Sequence, residues 1–220
     1  MPVQIKFCGL TRPEDVAEAE SLGADYVGAI FAGGPRLQTP ESARALFAGV
    51  RHARRVGVFG DATPEQIREI VEYVPLDVVQ LHADPTSDEV ARIIAMRAYI
   101  PHLCEVWGVL RIAGDEVPEG APALFRAADA VVLDTRSMSG LGGTGATFPW
   151  KAVAARIAPY RGTTRLFVAG GLTTANVAEA VRALRPAGVD VSSGVEVAPG
   201  VKGRLLMRQF AEAARAAHGE

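Results

Sequence analysis

Short apolar runs alternate with longer amphipathic stretches along the sequence, and this pattern leaves few folds open. The runs are rich in β-branched and aromatic side chains, which is typical of buried parallel strands. They lie at residues 4–7, 26–30, 55–59, 78–81, 105–110, 130–133, 165–169 and 189–191. Eight strands alternating with about eight helices predict parallel βαβ units closed into a (β/α)8 TIM barrel. A doubly wound open sheet shares this alternation and stays a structural alternative, although its usual GxGxxG fingerprint is missing.

Three of the predicted helices begin with a recognisable cap. Thr11 with Glu14, and likewise Thr63 with Gln66, have the spacing of a capping box, in which each side chain satisfies a backbone N–H group of the other residue. Thr39 is followed directly by a proline, which is favoured at the first helical position. We therefore predict that helices begin at these three threonines.

Length and composition narrow the class of protein. The 220 residues suit one barrel and contain no linker, so we predict a single domain of residues 1–220. The net charge of −2 and the lack of a Lys/Arg patch argue against a nucleic-acid partner. No apolar stretch approaches the roughly 20 residues of a membrane span. Two distant cysteines and no visible signal peptide lead us to expect a cytoplasmic protein without disulfides.

A barrel carries its functional side chains at the carboxyl ends of the strands and in the loops that follow. In this chain those positions hold polar residues and glycines: Cys8, Arg36, Gln80, His82, Asp134, Gly170, Gly171, Ser192, Ser193 and Gly194. Four scattered histidines without an HExxH or similar spacing argue against a metal site. The pattern predicts a small-molecule site at the barrel mouth, with neither metal nor organic cofactor.

The last two strand–helix loops have the features of a phosphate site. Gly170 and Gly171 allow backbone N–H groups to approach an anion closely. Ser192, Ser193 and Gly194 are placed to open a short helix whose N-terminus would face the same anion. Each signal alone is compatible with a tight turn, but the loops after strands seven and eight are the usual phosphate position in such barrels. We therefore predict a phosphate subsite here.

Cys8 and Asp134 are candidates for a base and an acid across the barrel mouth. Cys8 precedes a helix N-terminus, which stabilises a thiolate, whereas Cys104 lacks such a setting and is interpreted as structural. Asp134 ends a buried strand, where partial desolvation raises a carboxyl pKa and suits a general acid. Aldose–ketose isomerisation needs such a pair. The alternatives are a cysteine that only packs in the core and a carboxylate that caps a helix or serves as a loop ligand.

Further polar residues lie near this pair. Lys6 is predicted to face the barrel interior, where it needs a partner, so we hypothesise an ion pair with Asp190 on strand eight. Arg36 follows a Gly-Gly-Pro turn and offers a guanidinium to a substrate carboxylate, with a solvated loop arginine as the alternative. Gln80 is expected to contact the substrate, and His82 is interpreted as a polar wall of the site.

Several blocks of the sequence together resemble the phosphoribosylanthranilate isomerases of tryptophan biosynthesis. The blocks are Lys6-Phe-Cys-Gly-Leu-Thr-Arg12, Gln80-Leu-His82, Leu133-Asp-Thr135 with Gly142-Gly-Thr-Gly145, Ala169-Gly-Gly-Leu172 and Val189-Asp-Val-Ser-Ser-Gly-Val-Glu196. They occur in the family's order and spacing from residue 4 to the C-terminal helix.

The resemblance implies a TIM barrel that needs no cofactor and catalyses an Amadori rearrangement. The substrate would be N-(5-phosphoribosyl)anthranilate and the product 1-(2-carboxyphenylamino)-1-deoxyribulose 5-phosphate. By the same resemblance Cys8 is the general base, Asp134 is the general acid, and Arg36 holds the anthranilate carboxylate. The phosphate would be held by Gly171, Ser193 and Gly194, and Asp190 would order the site beside the substrate.

Three positions depart from the family's usual pattern. Ala83 and Gly34 stand where glycine and serine, respectively, are frequent, and Gly203 stands where aspartate is usual. None of these departures removes a proposed catalytic group. The change at Gly203 removes an acidic residue from the start of the last predicted helix.

Other classes of function stay open. A histidine-pathway ribotide isomerase would use carboxylates for both acid and base and would carry a second phosphate turn, and indole-glycerol-phosphate synthase would need an N-terminal extension. A non-catalytic barrel that binds a phosphorylated ligand is a different class, which the presence of Cys8 and Asp134 disfavours. The sequence leaves open a homo-oligomer or contacts with other tryptophan-pathway enzymes.

Overall fold

The computed structural model of the protein describes residues 2–136 and 147–218. Eight parallel strands form a closed barrel in chain order, and the eighth closes against the first. The strands are β1 (Gln4–Phe7), β2 (Tyr26–Ile30), β3 (Arg54–Phe59), β4 (Val78–Leu81), β5 (Glu105–Ile112), β6 (Ala130–Thr135), β7 (Arg165–Val168) and β8 (Gly188–Val191). The predicted TIM barrel is confirmed, and the doubly wound alternative is wrong.

Helices follow the strands and surround the barrel. They are α1 (Pro13–Ser21), α2 (Pro40–Leu46), α3 (Pro64–Tyr73), α4 (Ser87–Ala95), α5 (Ala121–Ala127), α6 (Trp150–Ile157), α7 (Val177–Leu184) and α8 (Arg204–His218). After β8 the chain forms a 3-10 helix, Ser193–Val195, and a small hairpin of β9 (Glu196–Ala198) and β10 (Val201–Lys202). The short helix was predicted, whereas the hairpin was not. Among the helices of the described ranges, none combines the length and the apolar character of a membrane span.

The predicted strand bounds differ from the structure mainly in β5 and β6. Both strands run two residues further than the apolar runs that predicted them. The extension is a ladder in which Arg111 pairs with Asp134 and Ile112 pairs with Thr135. The polar residues Arg111 and Asp134 interrupt the apolar pattern in the sequence. The two strands still continue, because their backbone N–H and C=O groups form hydrogen bonds with each other. The resembling block Gly142–Gly145 lies outside the described residues.

Two of the three predicted helix caps are confirmed. The Thr39 and Thr63 side chains accept hydrogen bonds from the third backbone N–H of α2 and α3, and both form capping boxes. The prediction at Thr11 is wrong, because Arg12 is the capping residue of α1 and its side chain makes no capping bond. The Thr11 hydroxyl instead donates to the Gly200 carbonyl at 2.7 Å, which ties the β1–α1 loop to the hairpin.

Aromatic side chains fill the barrel interior toward the amino ends of the strands. Trp107 stacks on Phe167 with ring centroids 4.4 Å apart, and Tyr26 meets both rings edge-on. Glu105 accepts a 2.7 Å hydrogen bond from the Trp107 indole and pairs with Arg165 at 2.6 Å. This packed base is a core rather than a pore, so the open space lies at the carboxyl ends of the strands.

The last helix begins without an acidic cap. Gly203 directly precedes α8, and its carbonyl accepts the first helical hydrogen bond from Met207 at 2.9 Å. A Cβ atom at this position would lie 2.8 Å from the Val197 side chain. Glycine therefore allows the hairpin to pack closely on the start of α8. A larger residue at position 203, such as the aspartate usual in the family, would meet the Val197 side chain.

Candidate active site

One cavity of about 790 Å³ opens at the carboxyl ends of the strands. All the residues that the sequence analysis named as catalytic, substrate-binding or phosphate-binding line it. The volume is within the range of pockets that enclose a small organic ligand. The fold thus brings together residues that are spread over most of the sequence, while their individual roles stay predictions.

Cys8 lies above a buried ion pair. Lys6 is fully buried, and its Nζ lies 2.7 Å from the Asp190 Oδ2, which bears out the hypothesised pair. The pairing follows from barrel closure, since Lys6 and Asp190 are register partners on β1 and β8. The Lys6 ammonium also acts on the Cys8 thiol, and its positive charge favours the thiolate.

Burial, rather than a helix, dominates the ionisation of Cys8. Desolvation raises the pKa of this thiol above its usual 9.0, and the nearby Lys6 only partly opposes the rise. Helix α1 begins only at Pro13, and burial outweighs the expected stabilisation of the thiolate by a helix N-terminus. Cys104 is exposed and donates to the His102 carbonyl at 3.3 Å, away from the cavity.

Asp134 stands on the other side of the mouth, on β6. Its pKa is raised because desolvation outweighs the attraction of His82, and the negative charge of Asp190 adds to the rise. The His82 Nε2 lies 3.6 Å from the Asp134 Oδ2. Gly170 is close by, since a Cβ there would lie 2.6 Å from the Asp134 Oδ1. The predicted rise in the pKa of the Asp134 carboxyl agrees with this geometry.

The loops after β7 and β8 approach one another through glycines. Gly170 and Gly171 have φ values of +78° and +67°, a conformation that suits glycine. A Cβ on Gly194 would collide with the Leu172 carbonyl oxygen, so only glycine lets these two loops meet. The N-terminus of the Ser193–Val195 helix lines the same cavity. Both elements of the predicted phosphate subsite are therefore adjacent in space.

Arg36 is held by a residue that the sequence analysis did not single out. Its Nε and Nη2 both donate to the Glu196 carboxylate at 2.7 Å. The Glu196 Oε1 also lies 2.8 Å from the Nζ of Lys202, whose side chain is fully buried. Glu196 belongs to a block that resembled the family, and Lys202 directly precedes Gly203, one of the positions that depart from the family's usual pattern. Neither residue stands at a predicted strand end, which is why both were missed.

Among the polar atoms of almost completely buried side chains in the cavity wall, two have no hydrogen-bond partner within residues 2–136 and 147–218. They are the Gln80 Oε1 and the Asp190 Oδ1, and both side chains are almost completely buried. Buried polar atoms are costly when unpaired, so these two mark places where a polar ligand gains contacts. No group of three or more His, Cys, Asp or Glu side chains in those same ranges is arranged to hold a metal ion.

Comparison with known proteins agrees with this geometry. The profile of the family described as N-(5'phosphoribosyl)anthranilate (PRA) isomerase matches residues 5–213. The N-(5'-phosphoribosyl)anthranilate isomerase of Rhodospirillum centenum is 38% identical over 224 residues, which cover 98% of this chain and 100% of the relative.

Two solved structures are similar over nearly their whole length. Monomers of the dimeric Thermotoga maritima phosphoribosylanthranilate isomerase align with a TM-score of 0.81 at 33% identity, covering 97% of this chain and 99% of that one. A phosphoribosylanthranilate isomerase in complex with reduced 1-(o-carboxyphenylamino)-1-deoxyribulose 5-phosphate aligns with a TM-score of 0.78 at 32% identity and the same coverage. From the profile match, the end-to-end relatives and the shared barrel, we conclude that this chain belongs to the N-(5'-phosphoribosyl)anthranilate isomerase family.

Proposed function

We propose that this protein catalyses the Amadori rearrangement of N-(5-phosphoribosyl)anthranilate to 1-(2-carboxyphenylamino)-1-deoxyribulose 5-phosphate, a step of tryptophan biosynthesis, with Cys8 as general base and Asp134 as general acid. One observation carries the proposal. Cys8, directly after β1, and Asp134, on β6, face the same cavity, and the two glycine-bearing loops line that cavity beside them. The cavity therefore offers an acid, a base and an anion subsite to one ligand.

The substrate has two anionic ends, which fix how it lies in the site. Its phosphate is held by the loops after β7 and β8, through Gly170, Gly171, Ser192, Ser193 and Gly194. Backbone N–H groups at such glycine turns and helix N-termini favour an anion. The anthranilate carboxylate is held by the guanidinium of Arg36 at another part of the wall.

Three residues complete the contacts to the sugar and the ring. Gln80 and Asp190 each present an unpaired buried oxygen, which suits the hydroxyl groups of the ribose. His82 lies beside Asp134 and forms the polar wall next to the acid.

The reaction needs one proton delivered and one removed. Asp134 donates a proton to the furanose ring oxygen while the lone pair of the anthranilate nitrogen expels that oxygen, which opens the ring to an iminium ion. The Cys8 thiolate then removes the C2 proton, and the electron pair forms the C1–C2 double bond of an enolamine. Tautomerisation then adds a proton to C1 and removes the proton of the C2 hydroxyl, which gives the ketone. The Cys8 thiol supplies the first proton and the Asp134 carboxylate accepts the second, so both groups return to their starting states.

The ionisation of both groups suits these roles. The raised pKa of Asp134 keeps its carboxyl protonated at a higher pH than a solvated aspartate. The raised pKa of Cys8 makes its thiolate, once formed, a stronger base, and the Lys6 ammonium favours that thiolate. A buried acid and a buried base therefore divide the proton transfers between them.

The test is to generate phosphoribosylanthranilate in situ and to follow the loss of anthranilate fluorescence on adding the protein. We expect fast loss with the wild type and a decrease of about 10²- to 10⁴-fold in kcat for Cys8→Ala and for Asp134→Asn, the usual share of one acid or base. Cys104→Ala and Asp88→Asn are matched controls, because both side chains are exposed and outside the cavity.

Folded wild-type protein without turnover would overturn the assignment and favour another phosphosugar substrate or a binding role. Full activity of Cys8→Ala would leave the reaction standing and remove the cysteine as its base.

We further propose that residues 1–220 act as one catalytic domain in the cytoplasm and that the substrate is its small-molecule partner. The related Thermotoga maritima protein is described as dimeric. Light scattering after size-exclusion chromatography would test whether this chain also forms a homo-oligomer.

A further inference from the structure

The guanidinium of Arg36 is clamped along one edge. Its Nε and Nη2 each donate to a different oxygen of Glu196, both at 2.7 Å, in the bidentate geometry that fixes the plane of an arginine most firmly. A guanidinium has five N–H donors, and this clamp uses two of them. The donors of Nη1 and the second donor of Nη2 are not used by Glu196. Glu196 thus orients Arg36 without consuming its capacity to bind an anion.

Lys202 forms a hydrogen bond with Glu196 and so fixes the position of its carboxylate. The Lys202 Nζ donates to the Glu196 Oε1 at 2.8 Å, and the Lys202 backbone N–H donates to the Asp15 Oδ2 at 3.1 Å. Asp15 is itself buried and forms a bidentate pair with Arg12. The lysine is therefore fixed at both its backbone and its ammonium group, and so is the carboxylate that clamps Arg36.

The charges of this cluster have a definite balance. Burial acts to raise the pKa of Glu196, but hydrogen bonds from Arg36 and Lys202 hold that pKa below its usual value, so the carboxylate is ionised. Burial lowers the pKa of Lys202, and the hydrogen bond to Glu196 opposes that fall. With Lys202 protonated, one anion between two cations leaves a net charge of +1. Glu196 alone would neutralise Arg36 and abolish its attraction for a carboxylate, and Lys202 restores that attraction.

Lys202 also reaches the phosphate turn. Its Nζ lies 3.0 Å from the Ser192 carbonyl oxygen and 3.4 Å from the Ser192 Oγ. Ser192 directly precedes the Ser193–Val195 helix, whose N-terminus lines the cavity. One ammonium group therefore contacts both the clamp on Arg36 and the turn of the phosphate subsite.

We propose that Glu196 and Lys202 are positioning residues for the substrate: Glu196 orients Arg36 toward the carboxylate of the aromatic ring, and Lys202 keeps that clamp at a fixed distance from the phosphate turn. This inference rests on the proposed function, in which the substrate is anchored at both anionic ends. It assigns specificity for a carboxylate-bearing aminosugar phosphate to a buried cluster that supports Arg36.

The test measures binding of two stable probes by calorimetry. One is reduced 1-(o-carboxyphenylamino)-1-deoxyribulose 5-phosphate, and the other is the same compound with a phenyl ring that lacks the carboxylate. We expect Glu196→Gln to weaken binding of the first probe by about 10- to 100-fold, the size of one misaligned charge-assisted contact. Binding of the second probe should weaken by less than about threefold. Arg36→Met should show the same selectivity, and the double variant should lose no more than Arg36→Met alone.

Lys202→Met should behave differently. Because Lys202 contacts both Glu196 and Ser192, we expect this variant to weaken binding of both probes. The larger loss of affinity should be for the carboxylate-bearing probe. Glu196→Asp keeps the charge and should retain most of the discrimination between probes. Glu179→Gln and Lys151→Met are matched controls on the exposed surfaces of α7 and α6 and should bind both probes as the wild type does.

Turnover gives a second readout. Glu196→Gln should raise KM with kcat changed by less than about threefold, since it removes binding that ground state and transition state share. Equal weakening of both probes by folded Glu196→Gln, or no weakening of either, would overturn the inference and leave the proposed reaction intact. A wild-type protein that neither binds the first probe nor turns over substrate would instead overturn the proposed function itself.

Discussion

Replacing Lys6 with methionine should be among the most destabilising single changes in the barrel. The lysine is fully buried and its partner Asp190 is 7% exposed, with 2.7 Å between Nζ and Oδ2. Methionine has a similar length but no charge, so the substitution leaves the Asp190 carboxylate buried without its counter-ion. Breaking a buried pair from one side costs about 3–5 kcal/mol in free energy of unfolding. For a domain of this size that corresponds to roughly 6–20 °C in Tm.

Urea unfolding followed by tryptophan fluorescence measures this loss. The matched control is Arg68→Met, which breaks the Arg68–Glu72 pair on the surface of α3, where both side chains are about half exposed and 3.8 Å apart. An exposed pair contributes at most about 1 kcal/mol, so the control should stay close to the wild type. The double variant Lys6→Met with Asp190→Asn should cost less than the sum of the single changes.

The pH dependence provides a further check on the same pair. Burial alone would lower the pKa of Lys6, but Asp190 and Cys8 raise it above the ordinary 10.5. A group whose pKa is raised on folding contributes stability that is complete below 10.5 and is lost as the pH rises through the higher folded value. The wild type should therefore lose this contribution only above pH 10.5, and Lys6→Met should lack the decline. A loss below about 1 kcal/mol in Lys6→Met, or strict additivity with Asp190→Asn, would refute the reasoning.

Three further predictions follow from single contacts. Gly170→Ala should lower kcat in the fluorescence assay by at least about tenfold, because the new Cβ would lie 2.6 Å from the Asp134 Oδ1 and the φ of +78° is strained for alanine. The control Gly49→Ala should keep full activity, since no atom lies within 4 Å of its Cβ. Thr63→Ala should lower the free energy of unfolding by about 1 kcal/mol through loss of the α3 capping box, and a urea midpoint equal to that of the wild type would contradict it. In a Cys104→Ser background, the rate of Cys8 alkylation by iodoacetamide should report a thiol pKa above 9.0, since burial raises it, and titration near neutral pH would contradict this account.

Features that depend on neighbouring residues were predictable from the sequence alone. Alternating apolar runs located all eight barrel strands to within two residues at each end, because a buried strand needs only a few consecutive apolar side chains. The caps at Thr39 and Thr63 were predictable because donor and acceptor lie three residues apart. Barrel closure even allowed the Lys6–Asp190 pair to be predicted, since the first and last strands of a barrel must be neighbours.

Features that depend on distant partners and on burial became visible only in the folded structure. Thr11 failed as a cap because its hydroxyl finds the Gly200 carbonyl, 189 residues away. The position of Arg36 at the barrel mouth was predictable, but its clamp by Glu196, 160 residues away, appears only when the β9–β10 hairpin returns to the barrel mouth. Likewise, the helix expected to stabilise a Cys8 thiolate is outweighed by desolvation, because the environment of a side chain is set by everything that packs around it. Local pattern thus specifies the barrel and the positions of its site, whereas the packing of distant segments sets the charge and orientation of each group in it.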